Sequence, residues 1–193
     1  MQKTRLEAFS DGVIAILITI MVLEFKTPAG HDWPAMQFLV PKLSAYILSF
    51  VFLGIYWNNH HHLFHLTTQV TGSIMWANLH LLFWLSLVPF ATAWMGEAHV
   101  AAVPTAVYGI VLLNAAIAFT ILVRAIITSQ GAHSPMKAAI GDDRKGWLSI
   151  VLYAVAIPIA FMRPWISAAL FVTVALIWLI PDRRIEKHLH EQR

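Results

Sequence analysis

Residues 5–25 read "RLEAFSDGVIAILITIMVLEF". From Gly12 to Leu23 no residue is charged and Thr19 alone carries a polar side chain. A helix crosses a bilayer core with roughly 20 mainly apolar residues, so this run spans a membrane. It is approached through Phe9-Ser10-Asp11, with Glu7 and Arg5 just before. An aspartate deep in a membrane costs about 2.5–3.5 kcal/mol on insertion scales, so Asp11 asks for a donor on a neighbouring helix or for water. Near the helix start that cost falls, and the helix dipole favours a carboxylate there.

Arg5, Phe9, Gly12, Ile16, Thr19 and Leu23 follow alternating steps of four and three. That is a coiled-coil seam, and it points all six in one direction. Two readings fit the spacing. The seam packs inside its own chain, with Thr19 bonded back to a carbonyl one turn earlier. Alternatively, symmetry copies meet along it, and Ile16, Thr19 and Leu23 form stacked rings. Apolar rings gate by dewetting, and hydroxyl oxygens can replace part of an ion's hydration shell.

The rest of the chain supports a membrane setting. Of 193 residues 59% are hydrophobic and 12% charged, where soluble domains carry about 25% charged. The protein is therefore an all-α integral membrane protein. Cysteine is absent, which excludes disulfides, thiolate catalysis and cysteine-based zinc sites. A net charge of +3, with the basic residues outside the apolar runs, fits topology signals and lipid headgroups rather than nucleic acid. Glu7 and Asp11 interrupt the order of a cleaved signal peptide, so the first run is read as a retained span.

Six spans are expected, at about 5–25, 40–64, 73–96, 100–127, 146–162 and 164–181, forming one six-helix domain over 1–193. Pro158 is expected to kink the fifth and Pro164 to start the sixth, across a tight turn at Arg163. Residues 129–146 read as a polar loop and the C-terminal "PDRRIEKHLHEQR" as a solvated helical tail. With the N-terminus inside, Lys3, Arg5, Arg124, Lys137, Arg144, Lys145, Arg183, Arg184, Lys187 and Arg193 lie inside. Lys26, Lys42 and Arg163 lie outside. That asymmetry places both termini in the cytoplasm.

"YWNNHHHLFHL" (56–66) ends the second span at the depth of the Phe9-Ser10-Asp11 triplet. The third span enters with Asn78 and His80 at a comparable level. Unpaired polar groups in hydrocarbon cost several kcal/mol each. Arg5, Ser10, Asp11, Trp57, Asn58, Asn59, His60 and Asn78 are thus expected to seek one another. His61 and His65, one helical turn apart, suggest a zinc site, but no acidic third ligand sits in motif spacing. Histidine also titrates near neutrality, which leaves pH sensing open. No P-loop, dinucleotide-binding glycine motif or nucleophile elbow occurs, so no catalytic residues, resident cofactor or metal are expected. "VYGI" (107–110) is nothing like the "TVGYG" filter of ordinary potassium channels.

The pattern Arg-x-x-x-Phe-Ser-Asp, here Arg5, Phe9, Ser10 and Asp11, followed by "GVIAILITIMVLE", resembles the transmembrane protein 175 family of potassium channels. Trp57 with His60 and Phe64, then Asn78 and "VPF" (88–90), extend the likeness. The resemblance implies a homotetramer of six-helix subunits, without a P-loop, in a bacterial inner membrane, with the first helix lining a potassium pore. It implies that Ile16 and Leu23 constrict that pore and that Thr19 contributes to selectivity for K+. It implies further that Arg5, Phe9, Ser10, Asp11, Trp57, His60 and Asn78 lock the pore helix to its neighbours. Ile16 departs from the leucine often found in the family, and the run His60-His61-His62 leaves the bonding histidine open by one position. A proton-coupled transporter using Asp11 and the histidines is the alternative, although inverted repeats and Gly/Pro-broken helix pairs are lacking. A membrane enzyme or metal-binding subunit built on the histidines is a weaker one.

Overall fold

The computed structural model describes residues 2–28, 30–37, 39–131, 137 and 143–179. The described residues form helices α1 (Lys3–Leu23), α2 (Trp33–Gln37), α3 (Val40–His65), α4 (Gly72–Ser86), α5 (Val88–Glu97), α6 (Ala102–Gln130), α7 (Arg144–Met162) and α8 (Pro164–Leu179). Five stretches are long and apolar enough to cross a membrane: α1, α3, α4 with α5, α6 and α7. α8 is shorter and equally apolar.

Proline sets several of these boundaries. Pro89 has no N–H to donate and its ring crowds the carbonyl one turn earlier, so the third apolar segment breaks at Leu87 into α4 and α5. The sequence reading had treated that segment as one uninterrupted span. Pro158 sits within α7, which continues to Met162. Pro164 begins α8, and Arg163 before it is extended (φ −148°, ψ 83°), as steric contact with a following proline demands. The short helix α2 was not expected. At other helix starts a side chain substitutes for the missing turn. Asp143 Oδ1 accepts from Gly146 N at 2.9 Å and Thr71 Oγ1 from Ile74 N at 3.4 Å. The C-terminal tail and most of the 129–146 loop lie outside the described residues.

The helices form two adjoining groups. α1 packs against α3, α4 and α5, while α6 packs against α4, α5, α7 and α8. α3 also reaches α8. Close approach depends on glycine at two points, as is common between membrane helices. A Cβ on Gly96 would stand 2.9 Å from Lys42 Cα, and one on Gly109 would stand 2.9 Å from the Phe171 ring. Beside Gly96, Lys42 Nζ and Glu97 Oε1 pair at 2.8 Å.

A directed chain of hydroxyls ties α6, α3 and α5 together. Thr92 Oγ1 donates to Val88 O at 2.6 Å, so it must accept from Ser49 Oγ, 2.7 Å away. Ser49 has then spent its proton, and Tyr108 Oη donates to it at 2.8 Å. All three side chains are buried. Gly109→Leu is expected to overpack the α6–α8 contact and cost about 1–3 kcal/mol, read as an earlier thermal unfolding transition in detergent. An unchanged transition would contradict this packing.

Candidate functional site

α1 is covered on one side only. Leu6, Ser10, Ile14, Leu17 and Met21 are buried on the side that meets α3, α4 and α5. The whole heptad seam lies on the uncovered arc. Phe9 is 51% exposed, Ile16 57% and Leu23 77%, and Arg5, Gly12 and Thr19 are exposed with them. Within the described subunit the seam is therefore not a packing face, and that half of the choice posed by the spacing falls away. Thr19 Oγ1 lies 2.9 Å from Ile16 O and 3.2 Å from Ala15 O. Its proton is shared back into its own helix, which leaves the oxygen lone pairs on the exposed side.

The covered side of α1 holds a second directed chain. Ser10 Oγ donates to Leu6 O at 2.9 Å, and Asn78 Nδ2 donates to Ser10 Oγ at 2.9 Å. The Asn78 amide is thereby oriented, and its Oδ1 faces His60 Nε2 at 2.8 Å. Because Oδ1 can only accept, His60 carries its proton on Nε2. All three side chains are fully buried. The chain runs α3 to α4 to α1, and it selects His60 from the three consecutive histidines.

The other polar residues of the sequence reading lie elsewhere. Arg5, Phe9 and Trp57 are exposed on the subunit surface. Asp11 is half-buried, and its Oδ1 has no hydrogen-bond partner among the described residues. The expected donor on a neighbouring helix is thus not found among the described residues. Asn58 is exposed, and Asn59 turns back to Ile55 O at 2.8 Å. His80 accepts from Trp84 Nε1 at 3.0 Å on the exposed side of α4. These two asparagines and His80 do not join the cluster.

Three contacts near the N-terminal end of α1 escaped the sequence reading. His61 Nδ1 lies 3.3 Å from Glu7 Oε1, and the His61 ring stacks on Trp57 with centroids 6.5 Å apart. Lys3 Nζ donates to His65 O at 3.2 Å. Helical spacing could not have hinted at the Glu7 and Lys3 contacts, which join residues far apart in the chain, whereas Trp57 and His61 stand one turn apart on α3. No group of three His, Cys, Asp or Glu side chains among the described residues could hold a metal ion.

A multi-span helical bundle whose first span turns a polar-punctuated seam away from its own core is a helical membrane protein with one face of that span uncovered by the described residues. The comparisons give this class a family. The chain belongs to the TMEM175 family: residues 5–89 match the model described as the endosomal/lysosomal potassium channel TMEM175. It is 56% identical over 191 residues to a potassium channel of Chryseobacterium sp., covering 99% of this chain and 100% of that one. It is 32% identical over 190 residues to a potassium channel of Chamaesiphon minutus, covering 91% and 93%. The crystal structure of a lysosomal potassium-selective channel TMEM175 homolog from Chamaesiphon minutus superposes with TM-score 0.81 at 30% identity, covering 92% of this chain and 96% of that one.

The buried chain makes a measurable prediction. Asn78→Leu leaves the His60 N–H buried without an acceptor and is expected to cost about 1–3 kcal/mol. A double-mutant cycle with Ser10→Ala, read by thermal unfolding, is expected to show a coupling of about 0.5–3 kcal/mol. Strictly additive losses would mean that the two residues do not act together.

Proposed function

We propose that this protein conducts K+ passively across the membrane as a homotetramer, with four copies of α1 around a central axis. The observation that carries this reading is the exposure of the entire α1 seam while the opposite face of the same helix is anchored in the subunit. The named relatives support the ion, since the two closely covered bacterial ones are potassium channels. On this reading the conducted ion is K+, which passes without a resident cofactor. The lysine and arginine asymmetry sets both termini in the cytoplasm.

On this reading Ile16 and Leu23 form apolar rings that dewet when narrow and so oppose passage of a hydrated ion. Thr19 lies between them, with lone pairs available to replace water around K+. The buried His60–Asn78–Ser10 chain holds α1 in the rotation that keeps the seam on the axis. Arg5, Asp11 and Trp57, whose side chains find no hydrogen bond among the described residues, meet neighbouring copies together with the exposed Phe9. The unpartnered Asp11 oxygen is the group with most to gain, because an unsatisfied buried acceptor costs about 1–3 kcal/mol.

Purified protein in planar bilayers tests this. Under bi-ionic potassium and sodium conditions, Thr19→Val is expected to move the reversal potential toward zero, and Thr19→Ser to hold it near that of the unsubstituted protein. A potential unmoved by Thr19→Val removes Thr19 from selectivity. Saturable flux driven by a pH gradient, in place of ohmic current, replaces the channel with a proton-coupled transporter. Asp11→Ala is expected to lower the yield of tetramer in native mass spectrometry more than it alters selectivity.

A further inference from the structure

α3, α6, α7 and α8 border a cleft with about 470 Å³ of empty space, its open mouth included. No residue of α1 lines it. It runs from Asp143, at the start of α7, to Tyr153 ten residues further along that helix. At about 1.5 Å of rise per residue this is a depth of about 15 Å.

The walls are aromatic: Phe52, Tyr56, Phe119, Tyr153 and Trp178. Trp178 is held in place by donation from Nε1 to Ser149 Oγ at 2.8 Å. Each polar side chain of the lining has an oxygen able to accept, and the two phenols can donate as well. Asn59 has spent an amide N–H on Ile55 O at 2.8 Å, and Thr120 has spent its proton on Ala116 O at 3.0 Å. Each keeps an oxygen with free lone pairs. Asp143 uses one carboxylate oxygen on Gly146 N and retains further acceptor capacity. The phenols of Tyr56 and Tyr153 have no hydrogen-bond partner among the described residues, although Tyr153 is only 2% exposed. Among the described residues lining the cleft, Asp143 is the one acidic or basic side chain.

Such a cleft complements a ligand with one positive charge, several N–H donors and an apolar body. A primary ammonium has three donors and no acceptor. The faces of Tyr, Phe and Trp attract a cation, by about 2 kcal/mol or more where water is excluded. A phosphate or carboxylate would face Asp143 with like charge, and a neutral amphiphile would leave that carboxylate unanswered. We propose that this cleft is a binding site for primary organic ammonium ions carrying an apolar tail, separate from the conduction route and present in each subunit.

The test uses the full-length protein in lipid nanodiscs, with equilibrium dialysis of radiolabelled 2-phenylethylammonium and subtraction of empty nanodiscs. Saturable binding at one site per chain is expected, together with at least about tenfold weaker binding of 2-phenylethanol, its uncharged counterpart (tenfold being 1.4 kcal/mol). Asp143→Asn keeps a side chain that caps α7 about as well and is expected to weaken 2-phenylethylammonium about tenfold while leaving unfolding temperature unchanged. Equal affinity for the amine and the alcohol in the unsubstituted protein overturns the proposal, as does binding that survives Asp143→Asn. Absence of saturable binding overturns it outright. Thr19→Val leaves this binding intact whether or not Thr19 governs permeation, so failure here is distinguishable from failure of the channel reading.

Discussion

Rotation of α1 about its own axis is the constraint on which the remaining structure depends. The helix is apolar almost all round, so hydrophobic burial cannot choose which of its faces meets the core; lipid accepts any of them. Polar groups can choose, because an unsatisfied hydroxyl or amide in hydrocarbon is costly. Ser10, reached by Asn78 and through it by His60, pins one azimuth. With that azimuth set, Leu6, Ile14, Leu17 and Met21 are buried, and Ile16, Thr19 and Leu23 are turned outward.

α3 takes part in both directed hydrogen-bond chains, through His60 at one level and Ser49 at another. Each chain ends on a backbone carbonyl of a helix, Leu6 O in one case and Val88 O in the other. In each, the linking bonds have a defined direction, which favours one arrangement of the helices over near alternatives. The two chains meet α3 eleven residues apart, Ser49 and His60, or about 16 Å along a helix. Two fixed points at that separation define the tilt as well as the rotation of α3 relative to its neighbours. The group containing α1 is thus coupled through α3 to the α6–α8 group, which carries the acceptor-lined cleft.

Much of the fold was legible because membrane spans announce themselves locally. Apolar runs and the proline at 164 speak through composition over one or two turns. The break at Leu87 was less so: Pro89 is visible in the sequence, but many membrane helices tolerate proline, and Pro158 in α7 is one that does. The candidate site divided along the same line. The stepping of Arg5, Phe9, Gly12, Ile16, Thr19 and Leu23 could be read from spacing alone, as could the presence of polar residues at one depth. Whether that seam faced the core or away from it could not.

The amino-acid sequence by itself determined that this chain lives in a bilayer, where its helices run, and that one of them carries a single hydroxyl within an apolar stripe. Those properties depend on periodicity and on transfer from water, which act on each segment independently. The tertiary structure alone decided that His60 and not His61 reaches Asn78, that Asn59 faces a different cleft, and that Glu7 pairs with His61. A hydrogen bond forms only within about 3 Å and along its donor's axis, and adjacent histidines differ by about 100° around a helix. Partner choice is therefore a property of how helices distant in sequence are set against one another.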